Sequence, residues 1–129
     1  ASYRRQRQMC IRDRAGLEAS IDGIGNVLGR SKNPGPALLI GSHSDSQPTG
    51  GWLDGAMGVI YGLEIVRALT EDSDTRLLAV DAVSWQDEES RFFSSMGSRS
   101  FSGQLPPGTP DVSVIKKAIP SKRHWIQPD

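Results

Sequence analysis

The sequence contains a single cysteine and lacks any long apolar run. Cys10 has no second cysteine to pair with, so an internal disulfide framework is excluded and a reducing, cytoplasmic setting is expected. No stretch approaches the ~18 consecutive apolar residues that a membrane span requires. Residues 1–14 carry no apolar stretch after their arginines, so they do not resemble a secretory signal peptide. With 129 residues, 36% of them apolar and 23% charged, the chain is expected to form one globular domain.

The zero net charge depends on the first fourteen residues. The segment 4–14 carries five arginines, and a basic arm that binds nucleic acid is one interpretation of it. The same string resembles the translation of a transposon-based sequencing adapter, so we interpret residues 1–14 as an adapter-derived, disordered tail. The rest of the chain has 10 basic and 14 acidic residues, a net charge of −4. Such a mildly acidic domain is not expected to bind nucleic acid.

Alternating apolar residues and turn signals predict a β-hairpin after this tail. Leu17, Ala19 and Ile21 lie on one face of a strand at a period of two, and the glycines of DGIGN turn the chain into a second short strand at NVLGR. A loop, KNPGP, leads to the continuously apolar run ALLIG at residues 37–41. Runs of this kind are typical of a strand buried on both faces, as in a parallel sheet.

The segment 54–70 has the apolar periodicity of a helix. Its apolar residues recur at spacings of three and four: Ala56, Val59, Ile60, Leu63, Val66 and Leu69. Asp54 occupies the expected N-cap position. The segment also contains three glycines, Gly55, Gly58 and Gly62. Each glycine lowers helix propensity by ~1 kcal/mol relative to alanine, and we expect the three to allow close packing on a sheet.

A second β-rich run, RLLAVDAVSW at residues 76–85, follows the predicted helix. Strand, helix and strand at these lengths predict a right-handed βαβ unit and an α/β fold class. Beyond this unit the chain becomes less regular, and MGSRSFSG at residues 96–103 is rich in glycine and serine.

Residues that could bind a metal follow both strands of the predicted βαβ unit. His43 and Asp45 follow the first strand, Asp-Glu-Glu at 87–89 follows the second, and Asp54 opens the helix between them. Ligands of open parallel sheets bind at the carboxyl ends of the strands, so we expect these side chains to meet and to form a site for a divalent cation. Each residue taken alone has a structural explanation, such as a hydrogen-bonded histidine, a helix cap, an Asx-turn or a solvated acidic turn.

Two stretches resemble the hydantoinase/carbamoylase family of amidohydrolases. They are GSHSDSQPTGGWLDGAMGVIYGLEIVRAL, which begins at Gly41, and VSWQDEESRFFSSMGSRSFSG, which ends at Gly103. The pattern of this family is Gly-Ser-His-x-Asp, Gly-Gly-x-x-Asp-Gly, Asp-Glu-Glu and Gly-Ser-Arg. The resemblance includes AGLEASIDGIGNVLGR, which begins at Ala15, and it ends at Gly103. Ser90 departs from the pattern, because the family usually has glycine there; a positive φ at this position would strain a serine.

The resemblance implies a partial three-layer α/β/α zinc-hydrolase catalytic domain with a mainly parallel sheet. Residues 15–103 are assigned to the N-terminal part of this domain, and residues 104–129 match no family segment. Family members are much longer, and later segments supply two further histidine ligands and a dimerisation or lid domain. We therefore expect an incomplete domain whose parent is a homodimer. His124, in KRHWIQ, lies among residues that do not resemble those later motifs.

The resemblance also implies which residues hold the cofactor, two divalent metal ions. His43 is a ligand of one ion, Asp54 bridges both ions, and Glu89 is a ligand of the other. Zinc is the expected metal, with manganese, cobalt and nickel as alternatives. A bridging carboxylate gives one oxygen to each ion and sets their separation at ~3.5–4 Å.

Three further residues take implied roles around the metals. Glu88 is the general base, Asp45 orients His43, and Arg99 is a candidate contact to the substrate, with a purely structural arginine as the alternative. Adjacent side chains on a strand point to opposite faces, so Glu89 can bind metal while Glu88 faces substrate. An imidazole ligand needs an acceptor for its other N–H, which suits Asp45.

The resemblance implies hydrolysis of the ureido or amide C–N bond of an N-carbamoyl-L-amino acid by metal-bound hydroxide. Allantoate is the alternative substrate, and a related peptidase or aminoacylase is a more distant alternative. The expected partner is therefore a small ureido or amide molecule, with no membrane and no nucleic acid. A different class of function, a non-catalytic metal-binding fragment, also stays open, and we expect no turnover by the isolated chain because two ligands are missing.

Overall fold

The computed structural model describes residues 15–51 and 53–105. They form four strands and two helices: β1 (Glu18–Ile21), β2 (Val27–Arg30), β3 (Leu38–His43), α1 (Asp54–Glu71), β4 (Val80–Trp85) and α2 (Met96–Phe101). None of the helices in these two ranges is long and apolar enough to cross a bilayer. The interpretations of residues 1–14, of the C-terminal segment beyond 105 and of His124 fall outside the described residues.

The strands form one mixed sheet in the order β1-β2-β4-β3. The predicted hairpin is confirmed, because β1 and β2 pair antiparallel. The predicted βαβ unit is confirmed as well, because β3 pairs parallel with β4 and α1 connects them. Strand β2 pairs antiparallel with β4, so β3–β4 is the one parallel pair among the described strands. The α/β class is confirmed, whereas the sheet of the described residues is mixed and not mainly parallel, because the β1–β2 and β2–β4 pairs are antiparallel.

Strand β3 lies at the edge of the sheet, and this corrects the prediction that it is buried on both faces. Its burial is intermediate at best, and the Leu38 side chain is 64% exposed. In contrast, Ala82 and Val83 of β4 are each only 3% exposed. The difference arises because β4 has β2 and β3 on its two sides, whereas β3 has a described neighbour on one side only.

Helix α1 packs its glycines against the sheet, as predicted. Gly55, Gly62 and Val66 are its buried residues, whereas Ile60 of the predicted apolar stripe is 51% exposed. A Cβ atom built on Gly62 would lie 3.3 Å from the Cα atom of Gly41 in β3. A Cβ atom at that position would be tighter than an ordinary van der Waals contact, so the helix and the strand approach each other closely at this glycine.

Asp54 is not the N-cap of α1, which corrects that expectation. Leu53 precedes the helix with a right-handed helical backbone, and no side chain caps the first turn. Asp54 is the first helical residue, and its Oδ1 accepts a hydrogen bond of 2.8 Å from the backbone N–H of Gly55. A carboxylate in the first turn still interacts favourably with the positive end of the helix dipole.

Two apolar clusters stabilise the fold. The larger joins the hairpin region, α1 and β4 through Ala15, Leu17, Val27, Val66, Val80 and Ala82. The smaller contains Ile24 and the completely buried Met96. Met96 begins helix α2, an element that the glycine- and serine-rich sequence did not indicate. Burial of one large side chain thus fixes a short helix that has little intrinsic helix propensity.

Candidate metal centre

The structure brings three of the predicted ligands together at the carboxyl end of the parallel strand pair. His43 is the last residue of β3, Asp54 is the first residue of α1, and Glu89 follows β4 in a turn. One ligand atom from each lies within 4.8 Å of the other two. Imidazole nitrogen and carboxylate oxygens are ligands that zinc and similar divalent cations accept.

The His43 ring is oriented by the backbone. Its Nδ1 atom is 3.0 Å from the carbonyl oxygen of Asp45, which can only accept a hydrogen bond. Nδ1 therefore carries the proton, and the lone pair of Nε2 stays available for a metal. Nε2 lies 4.0 Å from Oε1 of Glu89, one of the other two candidate ligands.

The Asp45 carboxylate forms a hydrogen bond with Glu89, whereas its contact with His43 is longer. Its Oδ2 accepts a hydrogen bond of 2.9 Å from the backbone N–H of Glu89. Its Oδ1 lies 3.5 Å from Nδ1 of His43, a long distance for a hydrogen bond. This buried Oδ1 has no hydrogen-bond partner among the described residues. The carboxylate thus adds negative charge beside the imidazole, while the carbonyl of the same residue holds the ring.

Gln47 fixes the other side of Glu89. Its Nε2 donates to the backbone carbonyl of Glu89 at 2.9 Å and to Glu89 Oε2 at 2.8 Å. Glu89 Oε1 is left to face His43. No signal in the sequence identified Gln47, because its contact depends on how the loop after β3 folds over the turn after β4.

Gly51 borders the carboxylates of Asp54 and Glu89. This residue has a φ of 71°, which favours glycine, and a Cβ atom there would lie 3.4 Å from Asp54 Oδ1 and 3.6 Å from Glu89 Oε1. The carboxylates of Asp54 and Glu89 therefore both border Gly51, and one ligand atom of each lies within 4.8 Å of one of His43. An unprotonated nitrogen and two carboxylates at this spacing fit a divalent cation, and the unpartnered Asp45 oxygen adds charge that a cation would offset.

Glu88 lies outside the triad and contacts α2. Its Oε1 accepts a hydrogen bond of 2.8 Å from the backbone N–H of Ser98, and its Oε2 accepts one of 2.9 Å from the Ser98 hydroxyl. Neighbouring glutamates do have different partners, but the strand argument for this was wrong, because β4 ends at Trp85. Ser98 was not singled out from the sequence, although it is the serine of the Gly-Ser-Arg motif.

A turn with unusual backbone angles separates the two glutamates from β4. Asp87 and Ser90, on either side of the pair, have positive φ values of 56° and 63°. The φ of Ser90 is therefore positive, which is the condition under which a serine at this position is strained. Asp87 is 2% exposed, and its carboxylate accepts backbone hydrogen bonds from Arg91, Phe92 and Phe93. The turn is thus stabilised by the buried Asp87 side chain, which differs from the solvated acidic turn that the sequence offers as a structural explanation.

Asn26 connects the hairpin to this turn, a role that the sequence pattern did not predict. Its side chain is completely buried; its amide donates to Asp22 Oδ2 at 2.8 Å and to the Gly97 carbonyl at 3.1 Å. Its Oδ1 accepts a hydrogen bond of 2.9 Å from the backbone N–H of Gln86. The local signal was the DGIGN turn, where Asp22 Oδ1 accepts three backbone N–H bonds.

Arg99 lies on α2, and its guanidinium carbon is 5.4 Å from the centroid of the Phe93 ring. This contact supports the structural alternative for Arg99, and its role as a substrate contact stays a prediction. The candidate residues therefore form two groups. His43, Asp54 and Glu89 form the triad, and Asp45 contacts two of them. Glu88 contacts Ser98 and Arg99 contacts Phe93.

An α/β unit with a His–Asp–Glu triad at the carboxyl ends of parallel strands defines a candidate metallohydrolase domain. The model of peptidase family M28 matches residues 24–117. The chain belongs to peptidase family M28, a family of metal-dependent hydrolases.

Similar proteins narrow this class. The chain is 36% identical to an N-carbamoyl-L-amino acid amidohydrolase of Geobacillus stearothermophilus, matching 100% of this chain and 32% of that protein. It is 34% identical to allantoate deiminase 1 of Glycine max, over 81% of this chain and 23% of that protein. A crystal structure of a hydantoinase/carbamoylase family amidase from Burkholderia phymatum matches with a TM-score of 0.75 and 65% identity, over 79% of this chain and 25% of that chain.

These matches confirm the resemblance to the hydantoinase/carbamoylase family and the α/β class. The chain spans only about a quarter to a third of the length of these relatives. The reaction of the whole protein, and the role of the triad in it, are therefore proposed below from the site and the relatives together.

Proposed function

We propose that this chain is part of a metal-dependent amidohydrolase that cleaves the ureido C–N bond of an N-carbamoyl-L-amino acid. The observation that supports a metal most directly is the triad of His43, Asp54 and Glu89, whose ligand atoms lie within 4.8 Å of one another. The reaction type is supported by the names of the similar proteins, among them two N-carbamoyl-L-amino acid amidohydrolases. Allantoate is the second candidate substrate, because allantoate deiminases are similar over 81% of the chain.

In this proposal His43, Asp54 and Glu89 would supply three of the ligands of two divalent cations, most simply zinc, and Asp54 would be the ligand shared by both. When bound, such cations supply Lewis acidity, which polarises the scissile carbonyl group and acidifies water. His43 is prepared for binding because its Nδ1 proton is held by the Asp45 carbonyl. Glu89 is prepared because Gln47 and Asp45 fix its backbone and one carboxylate oxygen.

Glu88 is the proposed general base. Its carboxylate accepts two hydrogen bonds from Ser98, which restrict its rotamers and leave lone pairs on both oxygens for a proton from water. A positioned carboxylate base typically contributes 10²- to 10⁴-fold to a rate. Arg99 stays a candidate contact for a substrate carboxylate, and the cytoplasmic setting and the homodimeric parent stay predictions.

The test of this proposal compares this chain with the longer reading frame that contains it. Both proteins are freed of metal, reconstituted with Zn²⁺, Mn²⁺, Co²⁺ or Ni²⁺, and assayed for ammonia release from N-carbamoyl-L-amino acids and from allantoate. We expect metal-dependent turnover by the longer protein only. Glu88→Gln is expected to reduce turnover by about 10²-fold or more while metal content stays unchanged. Glu89→Gln is expected to reduce both turnover and metal content. Glu18 has an exposed carboxylate on β1, so Glu18→Gln is expected to change neither turnover nor metal content.

Each outcome of the assay bears on a named alternative. Metal binding without turnover in the longer protein would favour a non-catalytic metal-binding role. Turnover of allantoate alone would select the second substrate. Metal-independent turnover, or turnover unaffected by Glu88→Gln, would contradict the proposal.

A further inference from the structure

Gly55 lies against the imidazole ring of His43. It is the second residue of α1 and is buried, whereas Asp54 before it is exposed. The three atoms nearest to a Cβ built on Gly55 all belong to this ring, and its Nε2 would be only 2.6 Å away. Cβ contacts under 3.0 Å are essentially never observed, so a side chain at position 55 and the present ring position exclude each other.

The ring is held in this position by its contacts with Asp45 and Glu89. Its Nδ1 is held at 3.0 Å by the Asp45 carbonyl, and Nε2 faces Glu89 Oε1 at 4.0 Å. The His43 side chain is only 16% exposed, so the ring has protein on most sides. A shift that relieved a contact with residue 55 would lengthen the bond that fixes the tautomer or turn Nε2 away from the carboxylates.

The next glycine of the same helix face provides an internal comparison. A Cβ on Gly58 would lie 2.6 Å from the Cβ of Ser42, the neighbour of His43 in β3. Positions 55 and 58 therefore present the same steric conflict between α1 and β3, but only position 55 directs it at the imidazole. The requirement for glycine at position 55 is thus specific to the ring.

We propose that Gly55 is a positioning residue for His43: the missing side chain leaves the space in which the imidazole presents Nε2 to Asp54 and Glu89. The proposal rests on the proposed function only in treating His43 as a metal ligand. The steric relation between Gly55 and His43 holds whether or not a metal is bound. It assigns a role to the glycine after Asp54 that is distinct from helix packing alone.

The first test is a double-mutant cycle on metal-free protein, with thermal unfolding as the readout. Gly55→Ala is expected to lower the unfolding temperature by several degrees when His43 is present. In a His43→Ala background the ring is gone, so Gly55→Ala is expected to leave the unfolding temperature unchanged or to raise it, because alanine is the better helix former. Gly58→Ala is expected to lower the unfolding temperature equally in both backgrounds.

The second test measures binding of Zn²⁺ by calorimetry and the tautomer of His43 by ¹⁵N NMR. Gly55→Ala is expected to weaken Zn²⁺ binding by about 10- to 100-fold, the usual effect of losing a group that orients a ligand, and to shift the imidazole signals. Gly58→Ala is expected to leave the Zn²⁺ affinity within a few-fold of that of the unsubstituted chain, and to leave the imidazole signals unchanged. Gly23→Ala, where a Cβ would meet nothing within 4 Å, controls for the glycine-to-alanine change itself.

The two tests separate this inference from the proposed function. If the unsubstituted chain binds no Zn²⁺, the metal proposal fails, yet the unfolding cycle and the NMR signals still report on the contact between Gly55 and His43. Additive effects of Gly55→Ala and His43→Ala, or unchanged imidazole signals in Gly55→Ala, would overturn the inference. Equal losses of Zn²⁺ affinity in the Gly55 and Gly58 variants would also overturn it, because general helix packing would then be the cause.

Discussion

At the scale of single residues, the turn after β4 depends on backbone angles that its side chains do not favour. Asp87, Ser90 and Ser95 all have positive φ values, which typically cost L-residues about 1–2 kcal/mol each. At Asp87 this cost is offset by three backbone hydrogen bonds to the buried carboxylate. For Ser90, which is exposed, no side-chain hydrogen bond of this kind is seen. The strain at Ser90 therefore acts directly on stability.

Ser90→Gly is expected to stabilise the chain by roughly 0.5–1 kcal/mol, because relief of the left-handed strain exceeds the entropy that glycine gains on unfolding. Urea unfolding of the metal-free protein measures the difference. Ser94→Gly is the matched control, since Ser94 is exposed in the same segment and its φ is not positive. It is expected to destabilise the chain by a similar amount. A loss of stability in both variants would contradict this account.

The candidate ligands could be predicted from the sequence, whereas the residues that hold them could not. His43 and Glu89 come soon after strand ends, and Asp54 begins the helix between, so chain topology alone brings them together. Gln47 and Ser98 reach the glutamates through loops whose paths no periodicity describes. The hydrogen bonds of Gln47 and Ser98 to the glutamates form only once segments that are separate in the chain have come together.

At the scale of secondary structure elements, the contact between β3 and β4 requires glycine at position 41. Gly41 has a φ of 145°, and a Cβ there would meet the Val83 carbonyl group, with the carbonyl carbon 2.9 Å away. On the other side, Gly62 of α1 packs on the Gly41 backbone. One strand residue thus allows both the neighbouring strand and the helix to approach.

Gly41→Ala is expected to lower the free energy of unfolding by about 3 kcal/mol or more, because it combines a disfavoured backbone with overlap at the Val83 carbonyl. Gly35→Ala provides the comparison, since its φ is 101° but a Cβ there meets nothing within 4 Å. That variant is expected to lose only about 1–2 kcal/mol. Chemical denaturation of both proteins measures the difference, and equal losses would remove the role of close approach.

The elements themselves were predictable to different degrees. The hairpin and the βαβ unit follow from local periodicity and turn residues, because most of their apolar contacts repeat at fixed spacings. Helix α2 was missed because long-range contacts stabilise it: Met96 is fully buried, and Gly97 accepts a hydrogen bond from Asn26, 71 residues earlier. The exposed edge of β3 was missed because a continuous apolar run does not reveal its neighbours.

At the scale of the whole molecule, the chain exposes large apolar side chains on α1 and β3. Tyr61 and Ile65, one turn apart on α1, are 58% and 50% exposed, and Leu38 of β3 is 64% exposed. Exposed apolar residues that adjoin one another on a helix are typical of surfaces that are covered in an assembly. The described part of the chain is thus expected to associate with itself when nothing else covers the face of α1 that carries Tyr61 and Ile65.

The double variant Tyr61→Lys/Ile65→Lys is expected to weaken self-association by about tenfold or more, because each change removes apolar area from the contact. Sedimentation velocity over a range of concentrations measures the effect on this chain. A second double variant, Ser73→Lys/Ser94→Lys, adds the same charge at exposed positions outside α1. If it weakens association equally, net charge is responsible and the helix face is not. A chain that stays monomeric at all concentrations would also contradict the prediction.

The pairing of His43 with Trp85 has a consequence for how the chain could misfold. In the observed register, His43 lies opposite Trp85 at the end of the parallel pair. Successive strand residues point to opposite faces, so a slip of β3 by one residue would turn the imidazole to the other side of the sheet. Asp54 and Glu89 would then face no nitrogen, although the number of paired residues would hardly change. If the triad binds zinc as proposed, a misregistered chain would retain its secondary structure and lose its affinity for zinc, so metal titration would distinguish correctly paired molecules from slipped ones where circular dichroism would not.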